Sequence, residues 1–81
     1  MITIYVLEGL STERRYVGIT NHLSRRLEEH QAKKTKGGQL LGEFKVLYTE
    51  HAEDYKSARV REKWLKSGQG REWLLDQFPR E

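Results

Sequence analysis

Two short segments of β-type residues, followed at once by a helical pattern, constrain the fold of this chain more than any other feature. Residues 4–7 and 15–20 are rich in β-branched and aromatic residues, and a stretch containing glycine, serine and threonine separates them. This arrangement predicts a β-hairpin. Residues 21–30 follow directly, and apolar residues recur in them at helical spacing. The first 30 residues therefore predict a hairpin with a helix attached to its second strand.

The first strand carries apolar side chains on both faces, which predicts a central or half-covered position in a sheet. Its tyrosine, Tyr5, has a counterpart in Tyr16 on the second strand. If the two tyrosines pair directly, the turn falls at Leu10 and Ser11, and both phenols project from one face of the sheet. A register shift of one residue would place them on opposite faces. The sequence leaves the register open.

The helix predicted for residues 21–30, which Thr20 or Asn21 can cap, has two polar residues in its apolar stripe. The stripe consists of Leu23, Arg26, Leu27 and His30. A structural explanation exists for each polar residue: the stem of Arg26 can cover the edge of the core, and His30 can pack half-buried. The functional alternative is a polar site that Arg26 and His30 share with the two tyrosines.

Residues 32–42 are basic and contain three glycines, which predicts a flexible loop. Its lysines, Lys33, Lys34 and Lys36, are either contacts for phosphate groups or part of a solvated connection. Residues 43–50 then alternate apolar and polar positions, which predicts a third strand.

Residues 55–65 predict a second helix, and its apolar stripe contains one carboxylate. The stripe consists of Tyr55, Ala58, Glu62 and Leu65. An ionised carboxylate on a buried face is costly unless it is paired or binds a cation. Glu62 is therefore expected either to form a salt bridge, for example with Arg26, or to bind a metal ion at the bottom of a cleft.

The remaining residues predict one more short helix. Gly68-Gln69-Gly70 predicts the end of the second helix, because glycine commonly follows the last helical turn. Residues 71–78 then have a helical pattern that stops at Pro79. The two tryptophans, Trp64 and Trp73, are expected in the core rather than at a base-stacking surface.

Length and composition limit the class of protein. The 81 residues are enough for a single domain, 1–81, with one modest core. The pattern predicts an α/β (α+β) fold in which a small three-stranded antiparallel sheet is flanked by helices, in the order β-β-α-β-α-α. Cysteine is absent and no apolar run approaches the roughly 20 residues of a membrane span, so we expect a soluble cytoplasmic protein. The net charge of +3 favours a polyanionic partner, though only weakly.

The order and spacing of these motifs resemble the GIY-YIG nuclease family. The motifs are Ile4-Tyr5, Tyr16-Val17-Gly18, Leu23-x-x-Arg26-Leu27-x-x-His30 and Ala58-x-x-x-Glu62-Lys63. The resemblance covers nearly the whole chain, and residues 66–74 are similar to stand-alone bacterial members. The family includes the nuclease domain of the excision-repair C subunit, homing endonucleases and some restriction enzymes. Two positions depart from its pattern: Thr3 replaces a glycine, and Ile19 stands where the repair nucleases carry lysine.

The resemblance implies a set of site residues and ligands. The catalytic residues would be Tyr5, Tyr16, Arg26, His30 and Glu62. Glu62 would bind one divalent ion, Mg²⁺ or Mn²⁺, and no small-molecule cofactor is implied. The partner would be DNA, with RNA left open and DNA repair as one role, and we expect a monomer or weak dimer. The cations expected to contact the nucleic acid are Arg25, Lys33, Lys34, Lys36, Lys66 and Arg71.

We therefore predict a metal-dependent endonuclease that hydrolyses phosphodiester bonds in DNA with structure selectivity or weak sequence specificity. In this hypothesis Tyr5 or Tyr16 takes the proton of the attacking water, with His30 as a relay. Arg26, the metal ion and a hydrogen-bonding partner such as His30 would lower the pKa of that tyrosine. The alternatives are a covalent phosphotyrosine route, a non-catalytic nucleic-acid-binding module on the same fold, and a small protein-interaction domain.

Overall fold

The structure, a computed structural model, describes residues 1–80. Within that range the strands are β1 (Ile2–Gly9), β2 (Arg15–Thr20) and β3 (Phe44–Ala52). The helices are α1 (Leu23–Gln31), α2 (Lys36–Leu41), α3 (Tyr55–Lys66) and α4 (Gly68–Gln77). The predicted α+β class and the order β-β-α-β-α-α are confirmed, with α2 as an additional short helix.

The described strands form one antiparallel sheet in the order β2-β1-β3, so β1 is central, as its two apolar faces predict. The two tyrosines do not pair directly. Tyr5 lies opposite Gly18, and Tyr16 lies opposite Leu7. This register differs by two residues from direct pairing, which preserves the shared face because side chains alternate with a period of two. The turn is correspondingly longer than Leu10 and Ser11, spanning residues 10–14.

Alternate side chains of β1 contribute to two hydrophobic clusters. The first cluster contains Ile2, Ile4 and Val6 of β1, together with side chains from β2, α3 and α4. The second contains Tyr5 and Leu7 and is completed by side chains from α1 and α2. Because β1 is buried by both clusters, its backbone holds Tyr5 at a fixed position between the helices and the sheet.

The segment predicted to be a flexible loop, residues 32–42, contains α2, so that prediction is wrong. Thr35 caps this helix, and its Oγ1 accepts a hydrogen bond from the amide of Gly38 at 3.0 Å. Glycine has low helix propensity, yet Gly37 and Gly38 are buried, because the helix passes too close to its neighbours for larger residues. A Cβ at Gly38 would collide with the carbonyl oxygen of His30. These glycines therefore allow close packing rather than flexibility.

Several helix ends also differ from the prediction. The cap of α1 is His22, whose Nδ1 accepts a hydrogen bond from the amide of Arg25 at 3.2 Å. The predicted cap, Thr20, instead accepts a hydrogen bond from the amide of His22. Ser67 ends α3 and also caps α4, so Gly68 and Gly70 lie in the first turn of α4 and not in a separating turn.

On α3 the predicted apolar stripe is only partly correct. Ala58 and Leu65 are buried, whereas Tyr55 is 41% exposed. The prediction of core tryptophans is confirmed, since Trp64 and Trp73 pack against the first cluster. None of the helices within residues 1–80 is long and apolar enough to cross a membrane.

Candidate active site

The centre of the candidate site is a hydrogen bond between two side chains that are almost fully buried. The hydroxyl of Tyr5 lies 2.8 Å from Nε2 of His30. The residues are 1% and 0% exposed, respectively, so β1 and α1 hold the pair without competition from bulk water. Nδ1 of His30 lies 2.5 Å from Oγ1 of Thr35, the cap of α2. The imidazole is therefore hydrogen-bonded at both nitrogens and has a fixed orientation.

The second tyrosine covers this pair. The ring centroid of Tyr16 lies 5.3 Å from that of His30 and 6.4 Å from that of Tyr5. Tyr16 is only half-buried, unlike Tyr5. Its ring also packs against α2, where a Cβ at Gly37 would come within 3.0 Å of it. Tyr16 is thus the more accessible tyrosine of the pair.

Gly18 provides the space that the Tyr5 ring occupies. A Cβ at position 18 would lie 2.5 Å from the hydroxyl oxygen of Tyr5 and 2.6 Å from its Cζ. Two strands of a sheet cannot separate locally without breaking their ladder, so the tyrosine side chain would have to move.

The substitution Gly18→Ala is therefore expected to displace Tyr5 from His30 and to lower the free energy of unfolding by about 1–3 kcal/mol. Urea denaturation measures the stability, and the NMR signals of His30 report the lost contact. The exposed Gly68→Ala, where a Cβ meets no neighbour within 4 Å, is the matched control. Equal effects of the two substitutions would contradict a specific role for Gly18.

Arg26 and Glu62 complete the cluster from α1 and α3. Arg26 forms an ion pair with Glu29 at 3.2 Å, and its positive charge also acts on Tyr5. Glu62 pairs with Lys66 one turn later, at 3.1 Å, rather than with Arg26 as one alternative proposed. Its side chain is 21% exposed, and its negative charge acts on Tyr5. The structure thus brings all five predicted catalytic residues to one place.

Burial controls the protonation of the central pair. It raises the pKa of Tyr5 above its ordinary value of 10.0, and this outweighs the lowering by Arg26. Arg26 therefore acts on the pKa of Tyr5 in the expected direction, but burial has the larger effect. Burial also lowers the pKa of His30 below 6.5, and the positive charge of Arg26 acts in the same direction. At neutral pH both groups are uncharged.

The lowered pKa of His30 predicts an acid-sensitive fold. Because the unfolded chain binds a proton on His30 more readily than the folded protein, stability is complete above pH 6.5 and declines as the pH falls below it. We expect the free energy of unfolding to stay nearly level from about pH 8 to about pH 6.5 and to drop from there towards about pH 5, with a smaller drop in His30→Gln. Chemical denaturation across this range measures it. His51→Gln, at an exposed position, is the control and is expected to behave as wild type.

The structure divides the six predicted nucleic-acid contacts into two groups. Lys66 and Arg71 line a cleft of about 720 Å³ that Tyr16 borders. This basic cleft lies between β2, α2, α3 and α4, and its cations are Arg14, Arg15, Lys66, Arg71 and Arg80. The other group lies outside the cleft at exposed positions of α1, the α1–α2 connection and α2; it comprises Arg25, Lys33, Lys34 and Lys36.

Two features of the site were not predicted from the sequence. Thr35, which contacts His30, stands in a segment whose glycines and lysines indicated a loop. The available signal was the residue type, because threonine is a preferred N-cap residue. Arg14 and Arg80 meet in the basic cleft although they are far apart in the sequence, and no local pattern joins them.

The fold and this cluster define a small α+β domain with a compact polar site made of two tyrosines, an arginine, a histidine and a carboxylate. The family model for the GIY-YIG catalytic domain matches residues 1–73. The chain belongs to the GIY-YIG family, whose domains are of the nuclease type and act on nucleic acids. The resemblance inferred from the motifs is thereby confirmed.

One solved structure extends the comparison over almost the whole chain. The solution structure of the UPF0213 protein BH0048 from Bacillus halodurans is similar to this chain, with a TM-score of 0.58 and 26% sequence identity. The similarity covers 96% of this chain and 86% of the other. No curated protein sequence matches this chain.

Proposed function

We propose that this protein is a metal-dependent endonuclease that hydrolyses phosphodiester bonds in DNA, with structure selectivity or weak sequence specificity. The observation that carries the proposal is the hydrogen bond between the hydroxyl of Tyr5 and His30, with Tyr16 packed beside the pair and the charges of Arg26 and Glu62 near enough to act on Tyr5. A hydrogen-bonded core network would have no need for a carboxylate and a guanidinium that both act on one phenol.

In this proposal Tyr5 is the general base and His30 is its relay. A neutral imidazole has one donor and one acceptor nitrogen. With Nδ1–H donating to Oγ1 of Thr35, Nε2 accepts the phenol proton of Tyr5. Tyr5 then takes a proton from the attacking water while its own proton passes to His30, so the buried phenol never carries a full negative charge. This transfer explains how a tyrosine with a raised pKa can act as a base at neutral pH.

Arg26 and Tyr16 are proposed to bind the phosphate group. The interaction with Tyr5 raises the pKa of Arg26, which keeps the guanidinium charged. A charged guanidinium forms paired hydrogen bonds with phosphate oxygens, and these strengthen as negative charge develops. Tyr16 can donate its hydroxyl proton to another phosphate oxygen from the half-buried side of the site.

The donor chemistry at the site fits one divalent ion. Glu62 supplies a partly exposed carboxylate, and within residues 1–80 no group of three or more His, Cys, Asp or Glu side chains forms a protein cage for a metal. A single carboxylate is typical of Mg²⁺, which keeps most of its waters and takes other ligands from the phosphate. When bound to Glu62, Mg²⁺ or Mn²⁺ would supply positive charge at a non-bridging oxygen and at the departing 3′ oxygen.

Cleavage of plasmid and flap DNA by the purified protein tests the proposal. We expect nicking in Mg²⁺ or Mn²⁺ and none in EDTA. The double variant Tyr5→Phe/Glu62→Gln, purified in the same way, controls for contaminating nucleases and is expected to be inactive. Salt-dependent binding without cleavage of any substrate would instead favour the non-catalytic binding module. A protein–DNA adduct trapped during the reaction would favour the covalent phosphotyrosine route.

A further inference from the structure

The basic cleft adjoins the candidate active site and differs from it in chemistry. Tyr16 belongs to both, because its ring packs on His30 and also borders the cleft. A substrate strand whose scissile phosphate lies at Tyr16 would therefore continue into this cleft on one side. The volume of about 720 Å³ is within the range of about 300–1,000 Å³ that is usual for small-ligand pockets. The cleft is thus large enough to enclose part of a strand.

The charge of the lining matches a polyanion. Five cationic side chains line the cleft, and none of the residues from 1–80 that line it is acidic. Two of the cations have structural partners: Arg15 pairs with Glu8, and Lys66 pairs with Glu62. Arg14, Arg71 and Arg80 remain at exposed positions around the opening. Cations so arranged are typical of contacts to a phosphate backbone.

The floor of the cleft is apolar, which phosphate binding alone does not explain. It is formed by leucines from three helices, and these are Leu40 and Leu41 of α2, Leu65 of α3, and Leu74 and Leu75 of α4. Leu40 is 54% exposed and Leu75 is 42% exposed. Exposed apolar residues that share a concave surface with cations indicate a ligand with both charged and apolar parts.

We propose that the basic cleft binds an unpaired stretch of the nucleic acid strand next to the scissile phosphate. This inference rests on the proposed nuclease function and specifies its substrate. The bases of a duplex are stacked on one another and present only their edges, so they cannot lie flat on leucine side chains. An unpaired nucleotide places its base face on the apolar floor and its phosphate among the cations. The phosphates of a duplex can contact the cations, but its bases cannot lie on the apolar floor.

Binding measured in EDTA tests this inference without reference to cleavage. Fluorescence anisotropy would compare a labelled single strand of about 12 nucleotides, as DNA and as RNA, with the same sequence in a duplex. We expect the single strand to bind more tightly than the duplex. The substitution Leu75→Gln is expected to weaken single-strand binding roughly 5- to 10-fold and to leave duplex binding unchanged. DNA and RNA are compared because both have the base and phosphate chemistry of the cleft.

Two further substitutions distinguish the contribution of the apolar floor to binding from that of the cations. Val60→Gln replaces an apolar residue on α3 that is 67% exposed and lies outside the cleft, and it is expected to have no effect. Arg71→Gln is expected to weaken single-strand and duplex binding alike and to reduce the salt dependence by about one phosphate contact. Circular dichroism would show that each variant is folded.

The outcomes distinguish this inference from the proposed function. Single-strand preference that depends on Leu75 in a protein that cleaves nothing would support the inference and overturn the nuclease proposal for this chain. Metal-dependent cleavage of fully paired DNA, with Leu75→Gln as tight on single strands as wild type, would overturn the inference and leave the nuclease proposal intact. An equal loss of single-strand affinity in Leu75→Gln and Val60→Gln would also overturn the inference.

Discussion

The substitution Tyr5→Phe is expected to reduce the rate of cleavage by about 10²- to 10⁴-fold, which is the usual contribution of a general base. Phenylalanine preserves the ring that fills the second core cluster and removes only the oxygen that lies 2.8 Å from Nε2 of His30. The protein is therefore expected to stay folded and to bind DNA with nearly unchanged affinity. Single-turnover kinetics at saturating DNA measure the loss, because they isolate the chemical step from binding.

Tyr48→Phe is the matched control for this prediction. Tyr48 also donates a hydrogen bond from its hydroxyl, to Oε1 of Glu50 at 3.0 Å, and packs against Trp73 in the other core cluster. The Tyr48→Phe variant is expected to cleave DNA at the wild-type rate. If Tyr5→Phe also cleaves as wild type, Tyr5 is not the base, and Tyr16 takes its place as the candidate. A large loss of stability in Tyr5→Phe alone would indicate that the pair with His30 is structural.

The substitution Glu62→Gln is expected to reduce metal-dependent cleavage about a thousandfold, because the metal ion contributes several kcal/mol to the stabilisation of the transition state. Glutamine keeps the size of the side chain and removes its charge, which also frees Lys66 from the ion pair at 3.1 Å. DNA binding in EDTA is therefore expected to be unchanged or slightly tighter. Cleavage rates over a range of Mn²⁺ concentrations, together with direct Mn²⁺ binding, measure the effect.

The exposed Glu28→Gln on α1 removes the same charge and is expected to leave cleavage and Mn²⁺ binding unchanged. If Glu62→Gln binds Mn²⁺ as well as wild type, Glu62 is not the metal ligand. If both substitutions reduce cleavage equally, the effect is one of net charge rather than of the site.

The sequence predicts those parts of the fold and the site that depend on side-chain periodicity. The alternation in residues 2–7 indicates a central strand, and β1 is central. The spacing of Arg26 and His30 places them on one helical face, where His30 forms a hydrogen bond with Tyr5 and the charge of Arg26 acts on it. A register error of two residues left the shared face of the tyrosines intact, because the face depends only on even or odd spacing.

Features that depend on tertiary contact were not predictable in the same way. Gly37 and Gly38 indicated a flexible loop, since composition does not distinguish a glycine needed for freedom from one needed for close packing. In the structure these glycines are needed for close packing, because α2 packs directly against His30 and Tyr16. The basic cleft likewise joins Arg14, Lys66 and Arg80, whose proximity results from how α4 returns to the hairpin.

The central position of β1 has a consequence for the order of events in folding. One edge of β1 pairs with the neighbouring β2, but the other edge pairs Ile2 with Ala52. The hairpin can form early, whereas the sheet must wait for a strand that is synthesised much later and must close a long loop to reach it. Glu62 follows that strand in the chain. A ribosome-bound chain that ends before α3 would therefore contain both tyrosines, Arg26 and His30, yet lack the carboxylate, so the complete set of proposed catalytic groups is assembled only late in synthesis.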